Sequence, residues 1–80
     1  MTKYIVYIDT KSASNAGHNY VLCMNDGVLE LVRESMSFNW AWHMINTKAE
    51  AQFLGESLIE VVKKEHTSSE VTIRIEEIGP

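Results

Sequence analysis

Apolar residues recur at three- and four-residue steps in only one part of the chain. Ala51, Leu54, Leu58, Val61 and Val62 make one stripe, and Lys48, Gln52, Glu56, Glu60 and Lys63 take the opposite face. That spacing predicts an amphipathic helix. Thr47 followed by Glu50 has the spacing of a capping box, so the helix opens within Asn46–Glu50 and should run to about Lys64. The rest of the chain shows strand patterns. Tyr4–Asp9 is β-branched and aromatic, Asn19–Met24 is a second strand, and Asn25-Asp26-Gly27 is a hairpin signal. Val28 to about Phe38 reads as the returning strand, and the alternating Glu70–Glu76 as the last one. Thr10–Gly17, Asn39–Ile45 and His66–Ser69 read as loops, giving the order β-β-β-α-β.

Geometry turns that order into an architecture. We expect an α+β fold, a four-stranded mixed sheet of order 3-2-1-4 with one helix packed on one face. A right-handed crossover would set the last strand parallel to the first or the third, and insertion beside the first gives that order. Asp9, Glu50 and Glu76 would then meet at one end of the sheet, as a divalent-metal site requires. Strand phase assigns Tyr4, Val6 and Ile8 with Val71, Ile73 and Ile75 to the helix side. The other face carries Ile5, Tyr7 and Asp9 beside Thr72, Arg74 and Glu76, and should be left bare for a partner.

Eighty residues form one small domain, 1–80, and an apolar fraction of 45% is that of a folded chain. Eleven acids against seven bases leave a net charge of −4. Phosphate backbones are bound mainly through Lys and Arg, so nucleic acid is expected only through a metal or a partner protein. The lone Cys23 excludes an internal disulfide and has no basic neighbour in sequence that would activate it. His18, His43 and His66 lack the close spacing of zinc ligands. No apolar run approaches the roughly 20 residues of a membrane span, and no basic-then-apolar leader follows Met1, so the expected compartment is the cytoplasm, with no membrane contact. Trp40 and Trp42, flanked by His43, either close one end of the core or anchor an interface.

Three stretches carry a family resemblance. Tyr7-Ile8-Asp9 with the following Thr10–Gly17 resembles the opening strand and loop of ribonuclease H, where the strand ends in a catalytic Asp. Asn46-Thr47-Lys48-Ala49-Glu50 is similar to the start of that family's metal-binding helix, and Val71–Glu77 to its fourth strand. The resemblance implies the N-terminal half of a ribonuclease H-like domain, with Asp9, Glu50 and Glu76 as catalytic Mg²⁺ or Mn²⁺ ligands. Departures are Thr10 for a Gly, Ala16 for a Pro and Glu76 for an Asp, and the family's later strand, helices and final Asp find no counterpart before Pro80.

Two functions follow as expectations. The first is a small non-catalytic protein-binding module without cofactor, of the inhibitor or adaptor kind that phages and mobile elements encode. It would dock on another protein or on its own twin as a homodimer, through Ile5, Tyr7, Trp40, Trp42, His43 and Arg74. The alternative is a metal-dependent nuclease completed by dimerisation or a partner. Its metals at Asp9, Glu50 and Glu76 would activate water for an in-line displacement.

Overall fold

The computed structural model describes residues 2–12, 17–37, 42–65 and 69–79. The chain forms β1 (Lys3–Ser12), β2 (Gly17–Asn25), β3 (Val28–Arg33), a 3₁₀ turn over Glu34–Met36, α1 (Lys48–Glu65) and β4 (Ser69–Ile78). The strands lie in the order β3-β2-β1-β4, the order expected, and with one helix the fold is α+β.

The local signals act as their chemistry requires. Asp26 and Gly27 sit at φ 51° and 80°, and left-handed backbone at both central residues is the type I′ turn whose twist suits a two-residue hairpin. The Thr47 hydroxyl accepts the Glu50 N–H at 3.1 Å, which caps the first turn of α1. β1 runs further than its sequence suggests. Thr10–Ser12 stay extended because they pair on both sides, with β2 through Lys11↔Gly17 and with β4 through Ser12↔Ser69. β3 is shorter, and it breaks into the 3₁₀ turn after Arg33.

One expectation is corrected. β4 runs antiparallel to β1, with Ile5 opposite Glu76 and Asp9 opposite Thr72, so the sheet is wholly antiparallel and not mixed. The reason lies between β3 and α1. β3 finishes opposite Tyr20, at the end of the sheet where β1 finishes. Ile45 pairs with Tyr4, where β1 begins, by reciprocal backbone hydrogen bonds of 2.9 Å each. The chain has therefore crossed the sheet once more before the helix starts. α1 returns along the sheet, and β4 must then run against β1.

That extra crossing fills a fork. β1 and β2 pair from Tyr7↔Val21 onward, and below that level Cys23 bridges Trp42, while the His43 N–H bonds to the Leu22 carbonyl at 3.0 Å. Part of the stretch read as a loop is thus tied into the sheet. Trp40, and with it His66, lies outside the described residues.

Two apolar clusters result. On the helix side Val6, Ile8, Leu22, Ile45, Ala51, Val62 and Val71 are buried together. α1 approaches β4 so closely that a Cβ on Gly55 would stand 2.8 Å from Cγ2 of Ile73. On the other face Ile5, Tyr7, Val21 and Cys23 are between 0% and 4% exposed. This face is not bare, contrary to the sequence expectation. Parts of the chain between β3 and α1 pack against it: Ser37 is buried, Trp42 Nε1 donates to Ser37 Oγ at 3.3 Å, and Glu34 reaches Arg74.

Candidate functional site

Arg74 organises the polar chemistry of the second face. Its position opposite Tyr7 places the guanidinium 4.1 Å from the ring centroid, a cation–π contact. Nε donates to Asp9 at 2.9 Å, Nη2 to Glu34 at 2.9 Å, and Nη1 to Glu76. Hydrogen bonding to Asp9, followed by that to Glu34, holds the guanidinium above its ordinary range against the opposing effect of burial. Burial pushes the Tyr7 hydroxyl up, reinforced by the Glu76 and Glu34 carboxylates. Burial, and then Glu30, likewise raises the Cys23 thiol, which is the opposite of activation.

Asp9 and Glu76 do come together, but around a cation supplied by the chain and not at the start of the helix. Glu50 is not with them. It lies exposed in the first turn of α1, which packs on the Val6 and Ile8 side of the sheet, while Asp9 bonds on the Tyr7 side. The expected convergence relied on a parallel β4 and fails with it. Among the described residues no group of three or more His, Cys, Asp or Glu is arranged to hold a metal ion. Of the expected docking residues, Ile5 and Tyr7 are buried, Arg74 and His43 are half-buried, and Trp42 is 39% exposed.

Apolar side chains are exposed in several places, among them Phe53 on α1, Met36 in the 3₁₀ turn and Val28 and Leu29 at the hairpin. α1 is seated over β1 and β4. A helix is about 10 Å across and strands are spaced about 4.8 Å apart, so one helix covers about two strands. The helix-side residues of β2 and β3 remain as a shelf beside it. Leu22 is buried there, Tyr20, Met24 and Leu31 are half-buried, and Leu29 is 41% exposed. A shallow pocket of about 100 Å³ between Tyr20, Leu31, Val62 and Glu65 marks the seam between shelf and helix. Val61, 54% exposed, continues the apolar surface on the helix. Sequence reasoning passed over Leu29 and Leu31, although their alternation with Glu30 places them on one face. The missing fact was how many strands one helix covers.

A second concavity, about 300 Å³, opens at the far corner of the sheet and is lined by Gly17, His18, Asn19, Arg33, Glu34 and Ser35. It exists because β3 leaves β2 after the Tyr20–Arg33 pair, so Gly17–Asn19 run on without a β3 neighbour. Arg33 Nη2 lies 3.4 Å from His18 Nε2 across it.

No protein-family model, curated protein or solved structure matches this chain.

Proposed function

We propose that this chain is a small non-catalytic protein-binding module that docks through the shelf formed by Tyr20, Met24, Leu29 and Leu31 beside α1. One observation carries the reading: a four-stranded sheet with a helix seated over only two of its strands. Apolar surface of this kind is stabilised when a second protein removes it from water. The vacant width matches one helix, and α1 already forms one wall. A domain of this size acts as an inhibitor or adaptor by occupying a surface on its partner. A second copy of the chain is the partner a test can supply directly. The metal-dependent nuclease reading gains nothing from the arrangement around Arg74, because the carboxylates there are already paired with a guanidinium.

Sedimentation equilibrium between about 5 and about 500 µM covers the range in which such a contact dimerises. The expected result is a concentration-dependent dimer, with Leu29→Lys and Leu31→Lys remaining monomeric and retaining their circular dichroism. A wild-type chain that stays monomeric throughout, or dimers unaffected by both substitutions, would overturn the proposal.

A further inference from the structure

We infer that the corner pocket between β2 and the end of β3 is a binding site for a small oxyanion, a phosphate or a carboxylate, with Arg33 as its principal donor.

Charge pairing gives the first reason. Among the described residues every ion pair is made by Arg74, which engages Asp9, Glu34 and Glu76. Arg33 has no carboxylate partner there, although the chain carries four more acids than bases. Its polar contact is with an imidazole. Glu34 borders the pocket, but its carboxylate is bonded to Arg74 on the other face of the sheet. The guanidinium fork, which matches carboxylate and phosphate geometry, is therefore available at the mouth of a cavity.

The pocket's shape gives the second. The 3₁₀ turn carries the chain away at Glu34, so the notch beside Gly17–Asn19 is a missing length of strand. The His18 N–H is turned inward to Thr10 Oγ1 at 3.2 Å, and the His18 carbonyl accepts from the same hydroxyl at 2.9 Å. Peptide groups alternate in direction along a strand, so the N–H and C=O groups of Gly17 and Asn19 face the notch. The Asn19 amide and the Ser35 hydroxyl stand at its walls. With the Arg33 guanidinium these N–H and O–H groups line a space large enough for a phosphate group and part of its carrier.

The test is a titration of ¹⁵N-labelled protein at constant ionic strength, with inorganic phosphate and acetate in separate arms. Saturable amide shifts confined to Gly17–Asn19 and Arg33–Ser35 are expected. The tighter-binding arm identifies phosphate or carboxylate as the natural group. Arg33→Gln should weaken binding at least about tenfold, as loss of a bidentate charged donor does. Arg33→Lys, which keeps the charge and the fold, should weaken it less. Shifts that fail to saturate, that spread over the whole chain, or that are as large in Arg33→Gln would overturn the site.

Discussion

Arg74 shows how one residue can decide the character of a face. It pairs with three carboxylates from three elements, so its removal leaves Asp9, Glu34 and Glu76 facing one another. Its side chain is 36% exposed, and solvent screens much of that repulsion. We therefore expect Arg74→Met to cost about 1–2 kcal/mol, measured by urea unfolding. Added salt should narrow the gap between the two proteins, because it screens the carboxylates in the variant. A variant as stable as wild type at low salt would show that Arg74 is dispensable. Tyr7 and Cys23 give a pH dependence of known sign. Both are acids whose folded pKa is raised above the ordinary 10.0 and 9.0. The unfolded chain ionises first, so their contribution is intact below about pH 9 and is lost as pH rises through the raised values. Unfolding midpoints at about pH 8 and about pH 10.5 should fall in the wild type. The fall should be smaller in Tyr7→Phe and in Cys23→Ala.

At the scale of elements, Gly55 sets helix propensity against packing. In an open helix Gly→Ala gains about 1 kcal/mol. Here the added methyl would meet Cγ2 of Ile73 at 2.8 Å, an atom fixed to a branched Cβ that cannot swing away. Overpacking of that kind costs about 1–3 kcal/mol. We expect Gly55→Ala to be net destabilising in the wild-type chain and to cost less in an Ile73→Ala background, where Cγ2 is gone, read by thermal unfolding. A stabilised single variant would mean that α1 stands further from β4. The helix, its Thr47 cap and the Asp26-Gly27 turn were all legible in the sequence, because each depends on residues within four positions. The strand after Val28 was read too long, because Glu34–Met36 curls over to bond Arg74, a residue of the last strand.

At the scale of the whole molecule, the uncovered surface is the shelf over β2 and β3 and not the Ile5 and Tyr7 face. Strand phase identified correctly which residues of β1 and β4 share each face. It could not show that the stretch after β3 would fold back over one of them. The expected acidic site failed for a related reason. Asp9 and Glu76 were identified and do meet, but at Arg74, with Glu50 on the far side of the sheet. Substitution of the exposed Leu29 should change association and leave stability nearly unchanged, whereas truncating Ile5 or Tyr7 to Ala should destabilise the domain before affecting any contact.

The sequence by itself determined the helix and its start, the hairpin turn and the two faces of β1 and β4, because these follow from local turn chemistry and from periodicities of two and 3.6 residues; the strand order 3-2-1-4 was expected from a parallel crossover and is found with an antiparallel β4. Only the tertiary structure decided the direction of β4 and the guanidinium at the centre of the carboxylates. It also showed which half of the sheet lies open. Those depend on one extra crossing, fixed by hydrogen bonds between Tyr4 and Ile45, and no local pattern encodes a bond between residues so far apart along the chain.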